Sequence, residues 1–281
     1  MVRIIADSTC DLSKELVERY KVSILPLHIL LGETEYKDGV DLTPEQIYQW
    51  SDANHTTPKT SAVALHDAVD MMRTILANGD QIIAFCISEQ MSTTGNIFRI
   101  AARELEAEDR VSVIDSENLS TGIGLLVIEA AIMAKQGKDR QEIVTYIKEL
   151  RKEVRASFVV DTLTYLHRGG RCSSVAALAG SVLKLHPKIE VKSGAMEAGK
   201  KYRGNIQRVI QDYVKEMEEE LLHAKKERVF ITHSGCDTAI IEKVKQYLQS
   251  LEYFDEILIT RAGGVVSSHC GPGTLGVLYI K

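Results

Sequence analysis

The first half of this 281-residue chain alternates short apolar runs with longer amphipathic segments. Residues 3–6, 81–88 and 111–115 are apolar runs typical of buried β-strands. Residues 64–78 have helical periodicity and stop at Gly79, a common residue at helix C-termini. Strands that alternate with helices pair in parallel through crossover connections. The pattern therefore predicts an α/β fold with a mainly parallel sheet flanked by helices.

The second half has a different pattern. Residues 188–192 and 199–202 flank a Ser-Gly turn and are typical of a β-hairpin. Residues 265–266 and 275–280 are further apolar runs, which we predict to be strands. A hairpin favours a mixed or antiparallel sheet in this part of the chain.

The change of pattern predicts a domain boundary near residue 156. At roughly 150 residues per domain, the length suits one large domain or two modest ones, and the change of pattern favours two. We expect residues 1–155 to form an α/β domain with a parallel sheet, and residues 156–281 to form a second α/β domain with a mixed or antiparallel sheet. Near the N-terminus, we expect Asp11 to cap a short helix and residues 22–31 to form a strand.

Composition excludes several classes of protein. A net charge of −5 and an aromatic content of 6% lack the basic surface and the stacking platforms of nucleic-acid binders. The five cysteines are far apart and form no C-x-x-C pair, which is typical of reduced thiols. No apolar run is long enough to cross a bilayer, and the N-terminus has no cleavable signal. We expect a cytoplasmic protein, and the histidine spacing predicts no metal site.

Hydroxyl side chains recur where strands of the first half are expected to end. The clusters are Asp7-Ser8-Thr9, Thr60-Ser61 and the segment from Ser88 through Ser92 to Thr94. The carboxyl ends of strands in an open α/β sheet line one crevice, where hydroxyls and free amides suit an anion. Each cluster alone is more simply explained as a cap or turn. Three clusters at corresponding places favour a ligand site.

Two features of the second half add chemistry. His269 lies at an expected strand end before a Gly-Pro-Gly turn and could face the crevice, although such a histidine is more often a surface residue. The run Arg168-Gly169-Gly170-Arg171 suits an anion-binding nest or, equally, a helix C-terminus with basic residues. The basic run 200–203, which ends at Arg203, either adds positive charge to such an anion site or is simply the solvent-exposed edge of a strand.

Recognised catalytic and nucleotide-binding motifs are absent from the sequence. There is no G-x-S-x-G elbow, Walker A loop, G-x-G-x-x-G or H-E-x-x-H. Residues 181–184 match S-x-x-K, but no K-T-G accompanies them, so we interpret the match as chance. We expect no cofactor.

A set of short segments runs in a specific order along nearly the whole chain. They are residues 7–12, 26–27, 38–40, 60–61, 87–88, 91–92, 113–116, 122–124, 168–171, 194, 201–203 and 269–273. Each segment is weak alone, but the ordered set resembles the DegV family. Members of that family are bacterial proteins that bind a fatty acid and serve as carrier subunits for fatty acid kinase.

The resemblance implies a site for the fatty-acid carboxylate. Thr60 and Ser61 match the family's hydroxyl pair near the carboxylate, and Ser92 matches the serine that hydrogen-bonds to it. His269 matches the histidine beside it. The resemblance also implies two α/β domains with the lipid between them.

The resemblance further implies a partner. Arg171 and Arg203 match basic residues near the pocket mouth that are implicated in phosphoryl transfer by the kinase catalytic subunit. The implied role is to present the carboxylate for acyl-phosphate formation in phospholipid synthesis, with transient membrane contact and with catalysis by the partner.

Other functions stay open at this point. Ser92 and His269, with Asp7 or Asp115, could instead act in a serine hydrolase or acyltransferase. A third alternative is a sensor or sugar-phosphate binder that uses the same crevice. Residues 175–180 have small side chains that either leave room for an apolar tunnel or allow close helix packing.

Overall fold

The computed structural model describes residues 1–176 and 185–281. Residues 177–184 lie outside the described residues, and they include the S-x-x-K match and most of the small-residue segment. The strands are β1 (Val2–Asp7), β2 (Ser23–Leu25), β3 (His28–Leu31), β4 (Thr34–Lys37), β5 (Lys59–Ser61), β6 (Gln81–Cys86), β7 (Val111–Asp115), β8 (Val154–Val159), β9 (Leu185–Lys192), β10 (Ala195–Arg203), β11 (Arg228–Ser234), β12 (Glu256–Arg261) and β13 (Thr274–Ile280).

Helices connect most of these strands. They are α1 (Lys14–Tyr20), α2 (Pro44–Asn54), α3 (Leu65–Ala77), α4 (Thr94–Glu104), α5 (Thr121–Lys135), α6 (Arg140–Leu150), α7 (Thr164–Gly169), α8 (Ser173–Ala176), α9 (Ile206–Glu216), α10 (Glu218–Leu221), α11 (Thr238–Ser250) and α12 (Gly264–Cys270). No helix in the described ranges combines the length and the apolar character that crossing a bilayer requires.

The strands within the described residues form three sheets. The first has the order β2-β1-β6-β7 and is parallel throughout. A three-stranded antiparallel sheet has the order β4-β3-β5. The third has the order β10-β9-β8-β13-β11-β12, in which only β11 and β12 are parallel. The predicted fold class, with one parallel and one mixed sheet, is confirmed, and the hairpin of β9 and β10 is antiparallel as expected.

Helix α5 joins the two large sheets. It packs against β1 and β6 of the parallel sheet and against β8 and β13 of the mixed sheet. Its residues from Thr121 to Ala131 are all buried, which explains why this helix is apolar on nearly every face. One hydrophobic cluster consequently contains residues from both sheets, such as Phe85 and Phe230. The proposed division at residues 155 and 156 falls within β8.

Two expectations for the N-terminal region are wrong. Asp11 does not cap α1, because Ser13 accepts the hydrogen bond from the N–H of Leu16, while Asp11 has a left-handed backbone and a buried carboxylate. The run 22–31 is not one strand. It divides at Pro26 into β2 and β3, which belong to different sheets, since proline has no N–H to continue a ladder.

The predicted strand at residues 265–266 is also wrong. Val265 and Val266 lie in α12, although adjacent β-branched residues favour a strand locally. Tertiary contacts override that preference, because the N–H groups of Gly263 and Gly264 donate to the carboxylates of Asp11 and Asp38. His269 therefore lies in the last turn of a helix and not at a strand end.

Candidate functional site

A cavity of about 420 Å³ brings together five of the six predicted site residues. Thr60 and Ser61 come from β5, Ser92 from the loop after β6, and His269 from α12. Arg171 lies at the exposed rim. The rest of the wall is mainly apolar and includes Leu27, Ile87, Met91, Leu119, Met196, Val265 and Val266. Polar groups and an apolar surface are therefore combined in one cleft.

Only part of the predicted hydroxyl clusters lines this cavity, and the elements that carry them differ from the expected ones. Ser92 follows a strand of the parallel sheet, as predicted. Thr60 and Ser61 instead lie on β5, an edge strand of the small antiparallel sheet. Asp7 and Thr9 bond to each other in the protein interior and do not line the cavity.

The ring of His269 contacts Thr60 through Nε2 and Gly169 through Nδ1. Its Nε2 lies 2.9 Å from Oγ1 of Thr60. Its Nδ1 is buried and has no hydrogen-bond partner among the described residues. Gly169 lies directly against the ring, since a Cβ built there would be 2.3 Å from Nδ1. The imidazole consequently has one orientation and one unsatisfied ring nitrogen.

The electrostatics keep this ring neutral. Burial and the nearby Arg171 guanidinium lower the pKa of His269 to about 4. At pH 7 the imidazole therefore has one N–H and one acceptor nitrogen. Together with the hydroxyls of Thr60, Ser61 and Ser92, it forms a set of neutral groups that can hydrogen-bond an oxygen ligand, with the charged Arg171 at the rim.

The loop that carries Ser92 is fastened to the β9–β10 hairpin. Oγ of Ser88 donates to the carbonyl of Gly194 at 2.6 Å, and Nε2 of Gln90 donates to the carbonyl of Ser193 at 2.5 Å. Gly194 has φ +85°, and a Cβ there would lie 2.7 Å from Oγ of Ser88, so both the turn and the close approach require glycine. The second half of the chain thus supplies one wall of the cleft.

The two arginines are in different places. Nη1 of Arg171 donates to the carbonyl of Gly169 at 2.8 Å, which holds it beside the turn after α7. Arg203 is exposed at the end of β10 and does not line the cavity. The structure therefore brings Arg171, but not Arg203, to the predicted site.

Within residues 1–176 and 185–281, Ser92 and His269 do not form the hydrogen bond that a serine hydrolase needs between its nucleophile and its base. Oγ of Ser92 lies 3.1 Å from Oγ1 of Thr94, while His269 pairs with Thr60. Asp7 accepts from the N–H of Ile87, and Asp115 accepts from the N–H of Glu117. An activated serine needs a hydrogen bond to its base, and the base needs an orienting carboxylate. Neither of these hydrogen bonds is present among Ser92, His269, Asp7 and Asp115.

Sequence reasoning missed the apolar wall. Leu119 and Met196 are absent from the predicted site residues, and Met91 appears only beside Ser92 in a family segment, because an apolar side chain on a cavity wall has the same sequence signal as one in the core. The position of Met91 next to Ser92, and of Met196 just after the hairpin turn, was the one available indication.

Comparisons with known proteins identify the family. The DegV family model, described as "Uncharacterised protein, DegV family", matches residues 1–281. A DegV domain-containing protein of Clostridium perfringens is 30% identical over 280 residues, covering 100% of this chain and 98% of the relative. One from Clostridium acetobutylicum is 32% identical over 282 residues, with the same coverages.

Solved structures agree with the fold. A fatty-acid-binding DegV family protein of Thermus thermophilus has a TM-score of 0.91 at 30% identity, with 100% and 99% of the two chains covered. A stearic-acid-binding protein of Eubacterium ventriosum has a TM-score of 0.86 at 29% identity, with 100% and 98% covered. DegV of Bacillus subtilis, a fatty-acid-binding protein, has a TM-score of 0.86 at 25% identity, with 100% and 99% covered. Since the family model and these relatives extend over essentially the full length, the chain belongs to the DegV family.

Proposed function

We propose that this protein binds a long-chain fatty acid in the 420 Å³ cavity and presents its carboxylate to a separate kinase for acyl-phosphate formation. One observation carries the proposal: the cavity combines an apolar wall with three hydroxyls and a neutral imidazole. Fatty-acid binding by the related proteins of Thermus thermophilus, Eubacterium ventriosum and Bacillus subtilis supports it.

The energetics require both parts of the site. A sixteen-carbon chain has ~14 methylenes, which together contribute roughly 11 kcal/mol when fully buried. Association and ordering cost several kcal/mol, so an apolar enclosure is needed for tight binding. At the other end, a bare buried carboxylate is strongly unfavourable, and Ser92, Thr60 and His269 supply its hydrogen bonds. Neutral partners leave the head group able to accept a phosphoryl group.

The first prediction concerns the ligand and its head group. Purified protein should release a long-chain fatty acid on denaturation, identified by mass spectrometry. Ser92→Ala and His269→Ala should each weaken binding of added palmitate or oleate by about 1–3 kcal/mol, because each leaves the carboxylate incompletely hydrogen-bonded.

Two matched control residues do not line the cavity. Ser250→Ala and His223→Ala remove exposed side chains of the same types and should leave the affinity unchanged. A hydrophilic ligand, with no affinity for palmitate or oleate, would exclude the lipid function. Unchanged binding in both site variants would place the carboxylate elsewhere.

The second prediction separates binding from presentation. Exposed arginines contribute little to holding a buried chain but suit phosphate oxygens or an acidic partner. We therefore expect Arg171→Ala and Arg203→Ala to retain the fatty acid and to lose acyl-phosphate formation with a fatty acid kinase catalytic subunit. Native mass spectrometry measures lipid occupancy, and a coupled assay measures phosphorylation.

The control for this pair is Arg208→Ala on α9, whose side chain is 85% exposed. It should keep both lipid and phosphorylation. Full turnover in the Arg171 and Arg203 variants would refute the assigned role, whereas loss of the lipid would show that the arginine holds the fatty acid itself.

A further inference from the structure

We propose that Asp11 and Asp38 are positioning residues that hold α12, and through it His269, in place at the cavity. The inference rests on the proposed function, because it gives these two carboxylates a part in forming the head-group site. Neither residue lines the cavity.

The two carboxylates bond directly to the start of α12. Oδ1 of Asp11 accepts from the N–H of Gly263 at 2.8 Å, and Oδ1 of Asp38 accepts from the N–H of Gly264 at 2.7 Å. Both aspartates are buried. They thereby satisfy amides at the start of α12 that have no partner within the helix.

The second oxygen of each carboxylate is also held. Oγ of Ser120 donates to Oδ2 of Asp11 at 2.5 Å, and Oγ of Ser8 donates to Oδ2 of Asp38 at 2.8 Å. Asp11 and Asp38 belong to the first half of the chain and α12 to the second. The two aspartates therefore fix the position of α12 relative to the first half of the chain, which also contains Thr60 and Ser92.

Packing leaves the start of α12 little room to move. A Cβ at Gly264 would lie 2.6 Å from Cδ1 of Ile29 and 2.8 Å from Cδ1 of Ile47. The helix backbone is thus seated against β3 and α2. His269 is five residues further along this single short helix, so a shift at the start moves the imidazole relative to Thr60.

The contact does not depend on the charge of the aspartates. Burial raises the pKa of Asp11 to about 8 and also raises that of Asp38. A protonated carboxyl still has an acceptor oxygen for an N–H group. An alanine removes that acceptor, whereas an asparagine retains it, which makes Ala and Asn an informative pair of substitutions.

A double-mutant cycle with palmitate tests the proposal. Asp38→Ala and Asp11→Ala should each weaken palmitate binding about tenfold, and the Asn variants should recover most of the affinity. In a His269→Ala background, the Asp→Ala changes should lose most of their effect on affinity, and the remainder comes from Val265 and Val266, which α12 also places in the cavity wall. A purely structural role would give equal losses in both backgrounds, and that result would overturn the proposal.

Asp7 is the matched control. It is buried like the other two aspartates but bonds to Thr9 and to the N–H of Ile87, not to α12. The effect of Asp7→Ala on palmitate affinity should be the same with and without His269. If Asp11→Ala does not fold, Ser120→Ala is the milder variant, since it removes only the hydroxyl that orients Asp11.

A second measurement needs no lipid. The ¹⁵N resonances of the His269 ring in the ligand-free protein should shift in Asp38→Ala and revert in Asp38→Asn. Unchanged resonances in Asp38→Ala would refute positioning even if the protein binds palmitate. If the wild-type protein binds no fatty acid, the proposed function fails, while the ring resonances still decide the role of Asp38.

Discussion

Glu129→Gln is expected to lower the free energy of unfolding by about 3–5 kcal/mol. Glu129 is a buried carboxylate on α5 that bonds to Nη1 of Arg228 and, at 2.6 Å, to Nζ of Lys225. Arg228 is itself buried, so removing the carboxylate leaves a guanidinium without its counterion away from water. The ion pairs of Glu129 with Lys225 and Arg228 also connect the first half of the chain to the second. Urea denaturation followed by circular dichroism measures the loss.

Two comparisons test this explanation. Glu142→Gln breaks a pair with Lys138 that has the same 2.6 Å distance but is 45% exposed on both sides, and it should cost under about 0.5 kcal/mol. Replacing both Glu129 and Arg228 by methionine should be less destabilising than Glu129→Gln alone, because no unpaired buried charge remains. Equal stability of Glu129→Gln and the wild type would show that the buried ion pair does not stabilise the fold.

Gly169→Ala is expected to reduce fatty-acid affinity at least as much as the loss of Ser92, by about 1–3 kcal/mol. Alanine normally favours a helix over glycine, so α7 itself should tolerate the change. The new Cβ, however, would lie 2.3 Å from Nδ1 of His269, so the ring must leave its present position, in which Nε2 lies 2.9 Å from Oγ1 of Thr60. Isothermal titration with palmitate measures the effect.

The neighbouring residue provides the control. Gly170 has φ +67°, and a Cβ there meets no atom within 4 Å. Gly170→Ala should therefore cost about 1 kcal/mol of stability through backbone strain and leave palmitate affinity unchanged. In a His269→Ala background, the penalty of Gly169→Ala on affinity should vanish. A penalty that persists there would mean that Gly169 acts on the ligand without the histidine.

Local patterns predicted the elements whose structure depends on local chemistry. The strands β1, β6 and β7, the helix α3 with Gly79 after it, and the β9–β10 hairpin all follow from periodicity and turn residues. The hydroxyls of Thr60, Ser61 and Ser92 were also identifiable, because clusters of serine and threonine are visible in the sequence. His269 and Arg171 were identifiable from their neighbouring glycines, the resemblance to the DegV family assigned them to the same site, and both line the cavity.

Long-range contacts decided the rest. Val265 and Val266 favour a strand locally, yet the buried carboxylates of Asp11 and Asp38 hold this segment as the start of α12, which changes what His269 faces. The sequence by itself determined the fold class and most of the polar residues that line the cavity, since periodicity and residue type act over a few positions. Only the tertiary structure decided which of these residues meet, because hydrogen bonds and packing between residues more than 200 positions apart have no local signal.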